Sequence, residues 1–288
     1  MDQFTHRTEI VNGVAIHYVI GGQGEPVVLW HGFLETWYHW RKVMPALADS
    51  YTVLAFDMRG FGDSGKPKDA YQLQTLADDC RELVSHLGFR RVHLVAHDMG
   101  APPALLYASR HPEQVRSLTY LDEPVVLDSA LQNLFRFAPD TLQMGGLWWW
   151  TFALAPGMAE QLIAGHEREF LSWFYQHYCV DSGSISPDAV DEYLRTFAAP
   201  DGVTGAFGVY RCIFDWIAQT NPLRDKKVTV PVLGLGGEKS MGARVAEMLR
   251  EVAVDVRGGA VPGCGHFVAE EQPEYLLDQL RQLFASTA

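Results

Sequence analysis

The sequence predicts an α/β architecture: a mainly parallel eight-stranded sheet with helices on both faces, interrupted by an inserted helical cap. Three observations carry this. Apolar runs of strand length alternate with helical patterns over residues 1–124, and such alternation implies parallel strands joined by helical crossovers. The rhythm then stops, and it resumes after residue 216. Finally, one strand, 92–96, passes through a tight turn between small residues straight into a helix.

The elements follow in order. Segments 8–11 and 14–20 flank Asn12-Gly13, a strong two-residue hairpin signal. Gly21-Gly22-Gln23-Gly24 is a turn, and 27–30 and 51–56 suit buried strands. Residues 37–47 have helical spacing, and a second amphipathic helix over 73–87 ends at Gly88. Strand 92–96, its helix and strand 117–121 complete the first part of the core. Residues 125–216 show helical patterns but no convincing strand, and they hold Trp148, Trp149, Trp150, Trp173 and Trp216. Strand 230–235, a helix over 243–252, a strand near 254–261 and a last helix from Glu274 fill residues 217–288.

Composition narrows the function classes. The chain has 288 residues, 48% hydrophobic and 20% charged, ordinary for a globular protein. A net charge of −12 without a polybasic run argues against nucleic acid and anionic membrane surfaces. No apolar stretch has the length of a membrane span, and the polar start Met1-Asp2-Gln3 does not read as a signal peptide. Cys80, Cys179, Cys212 and Cys264 are far apart, with no Cys-x-x-Cys, which fits free thiols in a reducing cytoplasm. The expected partners are a small-molecule substrate and at most a second copy of the chain in a homodimer.

The chemistry centres on Ala96-His97-Asp98-Met99-Gly100. A reactive side chain on a strand-to-helix turn is a nucleophile elbow, usually Gly-x-Ser-x-Gly. Here the nucleophile position holds Asp98. Serine needs a base before it attacks, whereas a carboxylate with a reference pKa of about 3.9 is ionised at neutral pH. Its target is an sp³ carbon bearing a leaving group, and the product is an ester that water must cleave with the help of a separate base. The competing reading of Asp98 is a helix N-cap.

In the chain order nucleophile, acid, histidine, the base falls on His266, in the glycine-rich loop Pro262-Gly263-Cys264-Gly265-His266. Two sites could supply the orienting acid: Asp122, after the strand ending at Leu121, and Glu238, after the following strand. Asp122 is favoured, with Glu123 next door able to face solvent or the cap instead. His31-Gly32-Phe33 follows strand 27–30 and should lie opposite the elbow, so that the Phe33 and Met99 N–H groups form an oxyanion hole. Gly60-Phe61-Gly62-Asp63-Ser64-Gly65 matches Gly-x-Gly-x-x-Gly, but Lys66-Pro67-Lys68 replaces the helix a dinucleotide site requires, so it reads as a structural loop. No His-x-x-x-His pair has a third ligand, so neither a metal nor a cofactor is expected.

Asp57-Met58-Arg59-Gly60-Phe61-Gly62-Asp63-Ser64-Gly65-Lys66-Pro67, His31-Gly32-Phe33, His97-Asp98-Met99-Gly100 and Gly263-Cys264-Gly265-His266 together resemble the α/β-hydrolase superfamily. Within it they resemble the aspartate-nucleophile branch of epoxide hydrolases and haloalkane or haloacetate dehalogenases. The resemblance spans nearly the whole chain. It implies cap donors that hold an epoxide oxygen, typically two tyrosines or a histidine and a tyrosine. Tyr210 matches the second of these, and the first falls in Trp148-Trp149-Trp150-Thr151-Phe152. An indole N–H donates a hydrogen bond but is too weak an acid to protonate an alkoxide. Trp149 or Trp150 would therefore orient an epoxide oxygen or hold a leaving halide.

Haloalkane dehalogenases usually carry tryptophan after the nucleophile, and fluoroacetate dehalogenases carry arginines there. This chain has Met99, Ala101 and Pro102. The expectation is thus a cofactor-free cytoplasmic epoxide hydrolase acting on a bulky apolar or aromatic substrate. A dehalogenase using the same Asp98, Asp122 and His266 is the alternative. A non-catalytic ligand receptor on this fold is a third reading.

Overall fold

The computed structural model describes residues 3–139 and 146–287. Met1 and Asp2 of the polar start, and residues 140–145 of the cap segment, lie outside the described residues. The chain opens with strands β1 (Phe4–Val11) and β2 (Val14–Gly21), joined through Asn12 and Gly13, both at positive φ. That is the left-handed geometry a two-residue hairpin turn demands. β3 (Glu25–Trp30), β4 (Tyr51–Phe56), β5 (Val92–His97), β6 (Val115–Leu121), β7 (Val232–Gly237) and β8 (Val256–Val261) follow. They form one eight-stranded sheet in the order β1-β2-β4-β3-β5-β6-β7-β8. The β1–β2 and β2–β4 pairs are antiparallel, and the other neighbours run parallel. Every residue of β5 and β7 is buried, as expected for central parallel strands covered on both faces.

Two local expectations need correction. Residues 37–47 are not one helix. A 3₁₀ turn, Trp37–Trp40, is followed by a separate helix α1, Met44–Ala48, with proline in its first turn. Pro45 lacks the N–H that would continue the earlier turn, and its ring opposes the carbonyl four residues back. The strand expected at 230–235 lies two residues later, in β7. Pro231 cannot donate to a ladder, and Gly236 and Gly237 extend the strand against Ala260 and Val261 of β8.

Helices α2 (Leu73–His86) and α3 (Ala101–Arg110) cover the first half of the sheet. The inserted segment contains α4 (Asp128–Leu134), α5 (Trp148–Ala153), α6 (Met158–Ile163), α7 (Glu167–Tyr178), α8 (Pro187–Phe197), α9 (Gly202–Arg211) and α10 (Ile213–Thr220). α10 runs across residue 216, where the insertion is expected to end. Helices α11 (Arg244–Val252), α12 (Val268–Glu271) and α13 (Pro273–Ala285) close the core.

The cap is seated by buried polar contacts. Tyr175 Oη donates to the Leu34 carbonyl at 2.5 Å, and Tyr193 Oη donates to Glu270 Oε1 at 2.8 Å. Trp216 Nε1 donates to the Tyr71 carbonyl at 2.9 Å. The Arg195–Asp63 pair also bridges cap and core, but it is exposed, and such pairs contribute little.

Candidate active site

The loops leaving β3, β5, β6, β7 and β8 at their carboxyl ends meet under the cap, where open α/β sheets place their ligands. Asp98 follows β5 in a single 3₁₀ turn before α3, with φ of 47°. The elbow needs small neighbours on both sides. A methyl on Gly32 would overlap the Asp98 side chain, and one on Gly100 would overlap the His31 carbonyl and Trp30.

The Asp98 carboxylate is held at both oxygens. Phe33 N–H donates to Oδ1 at 2.5 Å, and His266 Nε2 lies 3.3 Å from Oδ2. Burial opposes ionisation, but hydrogen bonding and charge from His266, the charge of His97 and the Phe33 N–H outweigh it. Asp98 is thereby held below the usual carboxylate range.

His266 Nδ1 donates to Asp122 Oδ2 at 2.7 Å. Asp122 is fixed in turn by Gly237 N–H at 2.7 Å, Ser240 Oγ at 2.6 Å and Met241 N–H at 3.3 Å. Asp98, His266 and Asp122 are therefore in line. Glu238 is exposed and caps the Gly263 N–H at 3.0 Å, away from His266. Burial disfavours the imidazolium of His266, but the Asp122 and Asp98 carboxylates prevail and raise its pKa well above the ordinary value.

His31 does not line the cavity. Its ring is buried, with Nδ1 donating to the Gly32 carbonyl at 2.9 Å and Nε2 accepting Met58 N–H at 3.0 Å. It shapes the loop that carries Phe33. Met99 is buried in the core. Glu123 does not face solvent; it is buried and lines the cavity beneath the cap.

The cap supplies the opposite wall. Trp149 Nε1 donates to Tyr210 Oη at 3.1 Å, and Trp150 packs its ring 5.3 Å from that of Tyr210. Trp148 instead packs on Phe170, Trp173 and Phe174. Burial pushes the Tyr210 phenol well above its ordinary pKa, so it keeps its proton. The space between cap and sheet is a cavity of about 90 Å³, and Leu134, Leu147, Phe174, Met241 and Phe267 complete its apolar lining. No lysine or arginine lines it among the described residues.

Two contributors were not legible in the sequence. Tyr178, at the end of α7, lines the cavity, and burial pushes its phenol up to about 12. Its carbonyl also accepts the His266 N–H at 2.8 Å. The aromatic run of α7 hides it among packing residues. Beneath Asp98, Glu35 Oε2 accepts Gly32 N–H at 2.8 Å and pairs with His97 Nδ1 at 3.1 Å, while His97 Nε2 donates to the His266 carbonyl at 2.9 Å. This buried bridge ties the Phe33 loop to the His266 loop. No local pattern joins residues 35, 97 and 266.

Glu35, His39 and His97 come close enough to hold a metal, as do His17, Asp57 and Asp63. Neither group lines the cavity. Asp57 is already engaged by His17, Trp37 N–H and Asp63 N–H.

Comparison with known proteins agrees with this architecture. A family described as the alpha/beta hydrolase fold matches residues 25–273. The chain is 34% identical to a soluble epoxide hydrolase of Corynebacterium sp. (strain C12), covering 98% of each chain. It is 30% identical to a fluoroacetate dehalogenase of Burkholderia sp., covering 98% of this chain and 94% of the relative. Among solved structures, that of Cfl2 from Burkholderia cenocepacia superposes with a TM-score of 0.92 at 36% identity, over 98% of this chain and 96% of the other.

Proposed function

The chain belongs to the α/β-hydrolase fold family, in the aspartate-nucleophile branch with the epoxide hydrolases and fluoroacetate dehalogenases, and from that premise we propose that it is an epoxide hydrolase. It is a hydrolase that acts on a small organic substrate. The finer reading gives each residue a role. Asp98 attacks an epoxide carbon in line with the C–O bond, which breaks and leaves its electron pair on oxygen. Tyr210 donates its hydroxyl to that oxygen, with Trp149 polarising it. His266, oriented by Asp122, takes a proton from water, and the resulting hydroxide attacks the ester carbonyl. The Phe33 and Met99 N–H groups hold the tetrahedral charge. Collapse breaks the ester C–O bond; the proton held by His266 and the one left on the regenerated carboxyl pass to the two product oxygens, so a neutral diol leaves and Asp98 returns as a carboxylate.

The observation that carries this reading is a proton-bearing phenol on the cap wall of the cavity whose floor holds the Asp98 carboxylate. The dehalogenase alternative draws on the same cap donors and on the 30% identical relative. Against haloacids, the described cavity lining has no lysine or arginine to pair with a substrate carboxylate. The lining favours an apolar or aromatic substrate. The four free cysteines fit a reducing cytoplasm.

The test is to trap the ester. His266→Gln incubated with an aryl epoxide should gain the mass of that epoxide on the peptide holding Asp98. Wild type should release diol from aryl epoxides. Halide release from alkyl bromides with no diol from any epoxide would instead favour the dehalogenase.

A further inference from the structure

Glu123 has no part in the mechanism above, yet it sits beside the nucleophile. The register of β5 and β6 pairs His97 with Leu121. The loops leaving these strands therefore bring Asp98 and Glu123 to the same end of the sheet. Both line the cavity, and Glu123 is 4% exposed. Its carboxyl lies near enough to that of Asp98 for the two to interact directly. Glu123 Oε1 meets no N–H or O–H donor among the described residues.

Two carboxyl groups in buried contact do not both ionise. The cationic group that acts on Glu123 among the described residues, His266, is already shared between Asp98 and Asp122. Asp98 also receives the Phe33 N–H. Glu123 has no such support, and an unpaired buried charge is costly. The charged form therefore belongs to Asp98 and the proton to Glu123. Burial, and after it the Asp98 charge, push the Glu123 pKa well above the ordinary value.

We propose that Glu123 is a protonated positioning residue, whose O–H donates to the Asp98 carboxylate, holds it in attacking orientation and is lost at alkaline pH, which switches attack off. This rests on Asp98 being the nucleophile. The groups facing Glu123 are Asp98 on the elbow, Asp122 on its own loop and His266 after β8. Tyr120 on β6 and Tyr210 on α9 also feel its charge. Once Glu123 ionises, a second anion repels Asp98 and the donor is gone. No proton leaves Glu123 during attack itself.

The experiment has two parts. Infrared spectra of the resting enzyme should show a protonated-carboxyl C=O band that Glu123→Gln removes. In wild type that band should shift when Asp98 is alkylated, because its acceptor becomes a neutral ester. Stopped-flow tryptophan fluorescence should then give the alkylation rate against pH, using an aryl epoxide and an alkyl bromide as probes. Wild type should slow on the alkaline side. Glu123→Gln should keep the neutral-pH rate within about threefold, since its amide N–H replaces the donor at a similar hydrogen-bond strength, and should lose that alkaline fall. A resting enzyme without the band, or an unchanged alkaline fall in Glu123→Gln, overturns the proposal. If neither probe alkylates Asp98, the nucleophile assignment has failed, and the resting band by itself still decides whether Glu123 carries the proton.

Discussion

Trp149 Nε1 donates a hydrogen bond to Tyr210 Oη at 3.1 Å. The bond fills an acceptor site on the phenol and leaves its own O–H free to donate into the cavity. Donation to the oxygen also makes that O–H a stronger donor, since linked hydrogen bonds polarise one another. An indole that cannot protonate an alkoxide thus contributes through a phenol that can reach it.

This pairing ranks three substitutions. Tyr210→Phe keeps the ring packing and deletes the donor, so alkylation should slow by about 10²-fold, the scale of losing one oxyanion donor. Trp149→Phe loses only the supporting bond, about 1 kcal/mol or roughly fivefold. Trp150→Phe, which packs on the Tyr210 ring, should change the rate least. Single-turnover alkylation of the three variants gives the order; a larger effect at Trp150 than at Trp149 would contradict it.

The acid is tested through the ester-hydrolysis step. Asp122 holds His266 Nδ1 at 2.7 Å, whereas Glu238 holds a backbone N–H of the neighbouring loop. Asp122→Asn should slow ester hydrolysis far more than ester formation, and Glu238→Gln should leave both nearly unchanged. Pre-steady-state separation of the two steps checks this, and the reverse ranking would move the orienting role to the later loop.

The pH dependence of hydrolysis follows from His266. In the resting enzyme burial pulls its pKa down, but Asp122 and Asp98 raise it well above the ordinary value. Alkylation turns Asp98 into a neutral ester and removes one of these anions. Hydrolysis needs neutral imidazole, so its rate should rise with pH through an inflection below the resting titration of His266. Histidine NMR of the resting enzyme and single-turnover hydrolysis provide the two values, and an inflection at or above the resting one would rule the account out. The same shift adds stability that is fully present below about pH 6.5 and is lost as pH rises through the folded-state pKa.

Gly32→Ala tests the close approach at the elbow. The added methyl would overlap the Asp98 side chain, and overpacking in a tight site typically costs about 1–3 kcal/mol. The variant should melt lower than wild type and, where folded, form the Asp98 adduct more slowly. Unchanged stability and unchanged alkylation would show that the loop has room the structure denies.

The sequence by itself determined the sheet, the elbow turn and the chain order Asp98, Asp122, His266, because each rests on local pattern. An apolar run such as Val92–Ala96 announces a buried strand, and a carboxylate between Ala96 and Gly100 announces the turn. Between Asp122 and Glu238 local pattern supported only a preference for Asp122, since both follow strands. Only the packing of the loops after β6, β7 and β8 brought His266 to Asp122 and left Glu238 in solvent. The bend at Pro45 and the shift of β7 past Pro231 were local facts that a periodicity count overlooked. His31 looked like part of the site because it precedes Phe33, but its ring turns inward to brace the loop. Tyr178 and Glu35 had no signature at all, and Glu123 showed only as the neighbour of Asp122. What they do depends on neighbours more than twenty residues away in the chain, and such contacts come into being only when the sheet brings the loops after β3, β5, β6 and β8 together and the cap sets Tyr178 above them.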